Sequence, residues 1–223
     1  MLAVEEGLLY MNTEVDTDLI IFASKHKSES GRPSFTVHAP GNFGVAEFGG
    51  RDRTLGMACA VANRAFLKAL FRDKSGFEAF EISLEVTHHG PTLITPSVFV
   101  ELGSSDKEWR DMAAAKFIAE TILNGINTLE KEYKGEIAIG FGGGHYAPKF
   151  TKHILKEDDS AISHIFPRYQ FPNLTTDIIL EMIEKTVEDV DIALIDRKGF
   201  KKDERNHLID LLDELGIQWR VLK

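Results

Sequence analysis

Short segments in which apolar and polar residues alternate, or in which apolar residues run together, predict four β-strands in the first half of the chain. The clearest alternation lies in 79–87, where apolar residues at every second position are separated by glutamate and serine. The predicted strands are Asp18–Ala23, Ser34–His38, Ala79–Thr87 and Ser97–Glu101. The segment Ala39–Arg53 carries four glycines and one proline, so it is predicted to be a loop.

Apolar residues at helical spacing predict helices that alternate with further strands. The predicted helices are Ala58–Arg72, Asp106–Tyr133 with Ser104 or Ser105 as N-cap, Lys149–Leu155, Thr175–Glu188 with Thr175 or Thr176 as N-cap, and Lys202–Leu215, which ends at Gly216. The further strands are Glu136–Phe141, Ala161–Ile165, Ile192–Ile195 and Gln218–Leu222. This alternation predicts an α/β fold, a single domain over residues 1–223 with a mixed, largely parallel sheet flanked by helices.

The composition is that of a folded globular domain, with 43% hydrophobic and 27% charged residues among 223. The single cysteine, Cys59, lies in an apolar stretch and cannot form an internal disulfide, which favours a reducing cytoplasm. Met1–Tyr10 contains two glutamates and lacks the basic start of a signal peptide. No apolar run reaches the roughly 18 residues that a membrane-spanning helix needs, so no membrane association is expected.

The formal net charge of −9 disfavours non-specific binding to nucleic acid, because such binding depends on neutralising phosphates. Net charge does not describe local fields, however, and basic residues are concentrated at four places. These are Lys25, Lys27 and Arg32; Arg51 and Arg53; Lys149 and Lys152; and Arg197, Lys198, Lys201 and Lys202. Each cluster is either a solvated loop charge or a local contact for an anionic partner.

Several of the eight histidines follow predicted strands, in segments rich in glycine or proline. Because sites in α/β sheets form beyond the carboxyl ends of strands, imidazoles at these positions can meet in space. They are His38 in TVHAPGN, His88 and His89 in THHGPT, His145 in GGGHYAP and His164 in SHIFP. An imidazole titrates near neutral pH and can act as a general base, a general acid or a metal ligand.

Not every histidine is expected to belong to a site. Neighbours in a strand point to opposite faces, so only one of His88 and His89 is expected to face a site. His26, His153 and His207 are expected to be exposed, with His207 on a helix face. A lone histidine at a strand end is more often a hydrogen-bonded loop residue, so the adjacent pair is the stronger candidate.

The glycine-rich segment Gly140–His145 is similar to a dinucleotide-binding fingerprint, but it places His145 where the third glycine should be. Three consecutive glycines, Gly142–Gly144, exceed what one tight turn needs. We therefore expect their backbone N–H groups to approach a phosphate, a carboxylate or a developing oxyanion.

No short motif in the chain specifies a metal site or a serine nucleophile. The HExxH, CxxC and EF-hand spacings do not occur, and neither does the G-x-S-x-G elbow. Side chains near the predicted strand ends still form a candidate ligand set, which consists of His38, Glu85, His88, His145 and His164.

Two longer motifs, SLEVTHHGPT (Ser83–Thr92) and GFGGGHYAPKFT (Gly140–Thr151), resemble the D-aminoacyl-tRNA deacylases of archaea and plants. The supporting segments are IFASKHKSESGRP (Ile21–Pro33), FTVHAPGNFG (Phe35–Gly44), FVELGSSDKEW (Phe99–Trp109), SHIFPRY (Ser163–Tyr169) and ALIDRKG (Ala193–Gly199). The resemblance runs from about Asp18 to the C-terminus. Long motifs in the right succession are more specific than one short pattern.

The resemblance implies an enzyme that hydrolyses the ester between a D-amino acid and the terminal ribose of tRNA, which is proofreading of mischarged tRNA. It also implies zinc as a cofactor and a fold similar to nucleoside phosphorylases and peptidyl-tRNA hydrolases. Members of this family usually carry a further α/β segment before the strand that corresponds to Asp18–Ala23. We therefore expect this chain to have an abbreviated N-terminus.

Under this hypothesis, His88 or His89 and His145 line the catalytic centre as base, ligand or orienting group. The amides of Gly142–Gly144 would stabilise the tetrahedral oxyanion. The acceptor end of the aminoacylated tRNA, the implied partner, would be bound by Lys25, His26, Lys27, Arg32, Tyr146 and Lys149. The alternatives are a peptidyl-tRNA or nucleoside hydrolase on the same fold and a non-catalytic RNA-end binding module. No stable protein partner is implied.

Overall fold

The computed structural model describes residues 7–11, 16–29, 31–129, 133–157 and 159–223. Their strands are β1 (Ile20–Lys27), β2 (Ser34–His38), β3 (Gly41–Asn42), β4 (Thr54–Leu55), β5 (Glu81–Leu84), β6 (Ser97–Ser104), β7 (Glu136–Phe141), β8 (Ser160–Phe166), β9 (Ile192–Asp196) and β10 (Trp219–Leu222). Their α-helices are α1 (Ala60–Asp73), α2 (Asp106–Trp109), α3 (Met112–Asn127), α4 (Pro148–Glu157), α5 (Thr176–Glu184) and α6 (Lys202–Glu214). Short 3₁₀ helices cover Leu8–Tyr10 and Arg168–Asn173. Among these residues, no helix combines the length and the apolar character that crossing a membrane requires.

The first sheet has the strand order β1-β6-β2-β5 and is mixed. β1 runs parallel to β6, and β2 runs parallel to β5, but β2 and β6 are antiparallel. All eight residues of β6 are buried, because neighbouring strands pair with both of its edges. Its apolar run is typical of such a central strand.

The second sheet has the order β10-β9-β7-β8 and is entirely parallel. Helices α4, α5 and α6 follow β7, β8 and β9, as expected for parallel strands joined by crossover connections. The carboxyl ends of β7, β8 and β9 therefore lie at one edge of the sheet, and the loops that leave them are neighbours.

Backbone hydrogen bonds join the two sheets directly after β5. The N–H of Val86 donates to the carbonyl of His145 (3.0 Å), and the N–H of Thr87 donates to the carbonyl of Ile165 (2.9 Å). Beside the first of these bonds, Ala147 N–H donates to the Leu84 carbonyl (2.9 Å), so Glu85 and Tyr146 form an antiparallel bridge. The segment after β5 thus lies between the two sheets, and the loop that carries His145 is bonded to it.

Helix α1 packs across both sheets and provides much of the shared core. Its buried Phe66 and Leu70 belong to one apolar cluster with Phe35 of β2, Leu84 of β5 and Ile162 of β8. A second cluster, on the other side of the parallel sheet, gathers side chains of β7, β9, α5 and α6. Burying apolar area on both faces of the parallel sheet is what such a sheet requires.

The predicted α/β fold class is confirmed, with parallel pairing predominant, but one predicted helix is wrong. The segment Asp106–Tyr133 divides into α2 and α3 because Asp111 begins a new helix. Its carboxylate accepts hydrogen bonds from the N–H groups of Ala113 (2.9 Å) and Ala114 (3.1 Å). Residues 130–132, near the end of the predicted helix, lie outside the described residues.

His164 is a structural residue of β8, which corrects its assignment as a metal ligand. Its Nε2 donates to the Lys185 carbonyl (3.1 Å), because a carbonyl can only accept. Its Nδ1 therefore accepts from the Thr87 hydroxyl (3.1 Å), whose oxygen also accepts from Ile165 N–H. Both ring nitrogens have protein partners, and the ring links β8 to the segment between the sheets.

We predict that His164 makes the fold sensitive to acid. Burial lowers the pKa of His164 from 6.5 to about 4, so the unfolded chain binds this proton between those pH values and the native protein does not. The stability that His164 contributes is thus present above pH 6.5 and is lost as the pH falls toward 4. Its full size is about 3 kcal/mol. The measurement is the free energy of unfolding against pH for the wild type and H164Q.

H164Q should show a shallower loss of stability between pH 6.5 and pH 4 than the wild type. The matched control is H207Q, since His207 is an exposed histidine of α6. Equal pH slopes for the wild type and H164Q would contradict the prediction.

Candidate functional site

The register of the first sheet places four polar side chains on one face around the middle of β6. Ser24 of β1 is opposite Glu101 of β6, and His26 is two residues further along β1. On the other side of β6, Thr36 is opposite Glu101 and His38 is two residues further along β2. Because side chains two residues apart share a face of a strand, His26 and His38 approach Glu101 from opposite directions.

Glu85 continues β5 on this same face. β5 pairs with β2 up to the pair of Val37 and Leu84, so Glu85 lies beside His38. Its side chain is fully buried. A carboxylate buried in this way needs positive or hydrogen-bonding partners to be stable.

Three imidazoles surround the Glu85 carboxylate. His145 Nε2 is 2.9 Å from Oε2, His88 Nε2 is 3.4 Å from Oε2, and His26 Nδ1 is 3.2 Å from Oε1. His145 comes from the second sheet's loop, so Glu85 joins residues of both sheets at their junction. The His145 side chain is 39% exposed, which makes it the most accessible of the three imidazoles.

Glu101 has a second set of contacts. The Ser24 hydroxyl donates to its Oε1 (2.5 Å), while His26 Nδ1 and His38 Nε2 lie 3.4 and 3.7 Å from its Oε2. The Tyr146 hydroxyl is 2.9 Å from His26 Nε2. His26 therefore contacts both carboxylates on one side and Tyr146 on the other.

His88 and His89 both face the group formed by Glu85, Glu101 and the histidines around them, which we call the histidine cluster or, in short, the cluster. The expectation that only one of the two would face a site is wrong. The ring of His38 is 4.3 Å from that of His88 and 4.8 Å from that of His89, centroid to centroid. The two residues do not belong to a strand, and His89 has a left-handed backbone with φ of +45°. Strand alternation consequently does not apply to them.

Main-chain carbonyls orient three of the histidines in the same way. His38, His88 and His89 each have Nδ1 within 2.8–3.1 Å of a carbonyl, those of Ala39, Val86 and Gly90 respectively. Since a carbonyl accepts, each Nδ1 carries the proton, and the neutral ring has its lone pair on Nε2. Bonding of one ring nitrogen to a carbonyl is the arrangement that fixes histidines as metal ligands.

The protonation preferences of the imidazoles differ within this cluster. Burial lowers the pKa of His26 and His38, but contact with Glu101 and the charges of both carboxylates outweigh it, so both pKa values are raised. Burial and the neighbouring imidazoles hold the pKa of His88 well below its usual range. The same causes, burial first, lower the pKa of His89 to about 4. Imidazole contacts outweigh burial at Glu101 and lower its pKa.

The donor set of the cluster fits a divalent metal ion. The ligand atoms of His38, His88 and His89 lie within 4.8 Å of one another, and so do those of His26, Glu85 and His145. Within the described residues, His38 Nε2 and both oxygens of Glu85 are buried without an aligned hydrogen-bond partner. Buried polar atoms are normally paired, and these atoms have the chemistry to bind a cation. Imidazole nitrogen and carboxylate oxygen are ligands that zinc accepts.

The glycine loop before His145 approaches the site with its backbone. Gly142 and Gly143 have φ of +119° and +93°, which side chains rarely adopt, whereas a Cβ at Gly144 would meet nothing within 4 Å. The Gly142 N–H already donates to the Phe166 carbonyl (2.8 Å), so it does not serve the predicted oxyanion role. The amides of Gly143 and Gly144 are the remaining candidates.

The basic residues that were predicted to hold the substrate lie outside the cluster. Lys25 and Lys27 are exposed on the face of β1 opposite to His26, and the Lys25 ammonium is 5.5 Å from the centre of the Trp109 ring. Arg32 forms an exposed ion pair with Glu81. Lys149 is half-buried on α4, where its ammonium contacts the Lys223 carbonyl. Of the predicted substrate-binding side chains, those of His26 and Tyr146 lie in the cluster.

Two histidines that were expected to be exposed are buried. His26 is 3% exposed, because β1 extends beyond its predicted end at Ala23 and turns this side chain inward. His153 is 4% exposed and lies on the inner side of α4, near Glu157. His207 is exposed, as expected.

Glu101 is a site residue that the sequence analysis missed. The available signal was a charged residue inside the apolar run of β6, where only a paired or ligated carboxylate is stable. The predicted strand ended at Glu101 and so treated it as a boundary residue, although β6 continues to Ser104.

Comparisons with known proteins identify the family of this chain. The D-aminoacyl-tRNA deacylase family model matches residues 13–220. The D-aminoacyl-tRNA deacylase of Methanocaldococcus jannaschii is 42% identical over 91% of this chain and 81% of that protein; that of Pyrococcus furiosus is 40% identical over 93% and 74%. A crystal structure of a conserved protein of unknown function superposes with a TM-score of 0.84 at 32% identity, covering 93% of this chain and 72% of its own. This chain therefore belongs to the D-aminoacyl-tRNA deacylase family.

Proposed function

We propose that this protein hydrolyses the ester bond of D-aminoacyl-tRNA, releasing free D-amino acid and tRNA. Family membership supports the reaction class. The observation that carries the proposal is the buried Glu85 carboxylate in contact with His26, His88 and His145 beside a glycine loop. Such a centre offers a proton acceptor, oriented imidazoles and backbone donors in one place. We place the reaction in the cytoplasm, in keeping with the single cysteine.

His145 is the best-placed general base. Its Nε2 lies 2.9 Å from Glu85 Oε2, so the carboxylate can hold a proton on Nε2 and leave the lone pair of the neutral ring on Nδ1. This pairing orients the imidazole as a buried carboxylate does in hydrolase triads. As the water oxygen bonds to the ester carbonyl carbon, His145 takes the proton. When the bond between that carbon and the ribose oxygen breaks, the imidazolium returns the proton to the ribose oxygen.

The amides of Gly143 and Gly144 would stabilise the tetrahedral oxyanion between these two steps. They belong to the backbone directly before His145, so they reach the same reacting carbonyl as the base. Backbone donors need little reorganisation during the reaction, which is why they lower the barrier effectively.

We also propose zinc as the cofactor, held by His38, His88 and His89 through Nε2. Their common orientation and mutual distances support this set. When bound, zinc would polarise the ester carbonyl or activate a water. The carbonyls of Ala39, Val86 and Gly90 would keep the three rings in place. Glu101 would balance the positive charge through its contact with His38.

The first prediction from this function is chiral preference. Both enantiomers form equally labile esters, so the preference has to come from a clash with the L-side chain, and about 3–4 kcal/mol gives a few hundred-fold. We expect the wild type to cleave D-tyrosyl-tRNA a few hundred-fold faster than L-tyrosyl-tRNA. Rates of ester cleavage with the two purified substrates measure this.

We expect the glycine loop to discriminate between the enantiomers, since a backbone can approach the α-carbon of the substrate's amino acid more closely than a side chain can. G144A adds a Cβ at an unstrained position and should slow D-substrate cleavage without lowering the unfolding temperature. G143A is unsuitable because φ of +93° strains any side chain. Equal cleavage of both enantiomers by the wild type would reject this function in favour of a peptidyl-tRNA hydrolase. Binding without cleavage would favour an RNA-end binding module.

The second prediction concerns Glu85. E85Q keeps the shape of the side chain but replaces the charged carboxylate beside His145 with a neutral amide. Turnover should therefore fall by about 100-fold or more. Stability should not fall, because removing a poorly bonded buried charge is often neutral or stabilising. Steady-state kinetics and thermal unfolding of the same preparation provide both values.

E81Q is the control for this substitution, because Glu81 lies on the same strand with a side chain 57% exposed. It should leave turnover unchanged. Turnover of E85Q equal to that of the wild type would remove Glu85 from the mechanism.

The third prediction concerns the metal. Protein purified without chelator should contain zinc by elemental analysis, and removal by chelation should abolish turnover. Zinc should restore the activity, and magnesium should not, because imidazole ligands favour zinc. Full turnover by the metal-free protein would reject a catalytic metal.

A further inference from the structure

A cavity adjoins the glycine loop that precedes His145. It has a volume of about 570 Å³. It lies beyond the carboxyl ends of three parallel strands and is lined by the segments that follow them. These are Gly143 and Gly144 after β7, then Arg168, Tyr169 and Phe171 after β8, and finally Asp196 at the end of β9 with Lys198 and Gly199 after it. Crevices at this position bind ligands in α/β folds, and the volume suits a small molecule.

The cavity wall is built by close backbone contact. A Cβ on Gly199 would lie 2.5 Å from the backbone nitrogen of Gly143, so no other residue fits there without displacement. The Arg168 N–H donates to the Gly143 carbonyl (3.0 Å), which fixes the loop after β8 to the glycine loop. The three segments therefore form one connected surface that leads to His145.

An exposed aromatic ring lies in this wall. Tyr169 is 54% exposed although its ring is large and partly apolar, and Phe171 lines the cavity next to it. Burial and the charge of Glu85 raise the pKa of Tyr169 to about 12, so its hydroxyl stays protonated. The effect of Glu85 shows that the hydroxyl lies within electrostatic range of that carboxylate. Aromatic rings of this kind stack on nucleic-acid bases, whatever the base.

Polar and basic groups complete the cavity. The Asp196 carboxylate accepts from Lys198 N–H (3.0 Å), which limits its orientation, and carboxylates in α/β crevices accept from ribose hydroxyls. Arg168 is held by Glu204 at 2.9 Å. Lys198, an exposed member of the basic cluster noted in the sequence, also lines the cavity and provides a cation at its rim. Cations at a rim suit the phosphate of an approaching nucleotide.

We infer that this cavity binds the terminal adenosine of the substrate. The base stacks on Tyr169, the ribose lies toward Asp196 and the glycine loop, and the 5′-phosphate lies toward the basic rim. Since the cavity and the cluster share the glycine loop, a ribose in the cavity would present its ester to His145. This inference rests on the proposed function and assigns a part of the substrate to residues outside the cluster.

The test uses the full-length protein, with adenosine 5′-monophosphate as the probe and ribose 5-phosphate as the probe without a base. The wild type should bind the nucleotide and not the sugar phosphate. Y169A should weaken nucleotide binding and raise KM for D-tyrosyl-tRNA about 10-fold or more, with a smaller change in kcat. Y169F keeps the ring and should stay within about twofold of the wild type. Y10A, which removes a tyrosine 66% exposed on the Leu8–Tyr10 turn, should change neither value.

A second measurement does not depend on any variant. In amide spectra of the wild type, the nucleotide should shift the signals of Gly143, Gly144 and Gly199. Unshifted signals there, or wild-type binding and KM in folded Y169A, overturn the adenosine site. Nucleotide binding at Tyr169 by a protein that cleaves no D-aminoacyl-tRNA supports the site and rejects the proposed reaction instead, so the two failures are distinct.

Discussion

Two carboxylates, Glu85 and Glu101, are buried a few ångströms apart in the same cluster, and much of the surrounding architecture serves to keep them stable. Removing an ion from water costs several kcal/mol unless compensating groups are already in place. Glu101 obtains these from Ser24, His26 and His38, while Glu85 depends on imidazoles from both sheets. The partners of the buried charge of Glu85 are therefore brought together only where the two sheets meet.

The loops above the cluster hold the imidazoles in place rather than merely covering them. Gly41 N–H donates to the His89 carbonyl (2.7 Å), and Gly90 N–H donates to the Phe48 carbonyl (3.0 Å). These bonds fix the left-handed backbone of His89, which a non-glycine residue adopts only when its surroundings enforce it. A long loop between β2 and α1 thus supports the arrangement of the histidines, since functional groups on loops need a rigid support.

The sequence predicts most of this fold because its periodicity is local information. Strands from β7 onward alternate with helices whose caps and glycines can be read directly, such as Thr175, which caps α5, and Gly216 after α6. The site is harder to predict because it depends on pairing between strands far apart in sequence. Glu101 becomes a partner of His26 and His38 only through the register of β6 with β1 and β2. In the same way, nothing local distinguishes His164, which bonds within the core, from His145, which faces Glu85.

Because side chains alternate between the two faces of β1, the number of residues before His26 decides which side chain faces the carboxylates. His26 faces the carboxylates, whereas Lys25 and Lys27 face solvent on either side of it. Deleting or inserting one residue upstream of His26 would leave the backbone ladder with β6 intact, but it would exchange the two faces. A lysine ammonium would then enter the cluster as a permanent cation and occupy the place of the imidazole. The strand pairing alone therefore does not preserve the site, since its chemistry also depends on which residue of β1 faces inward.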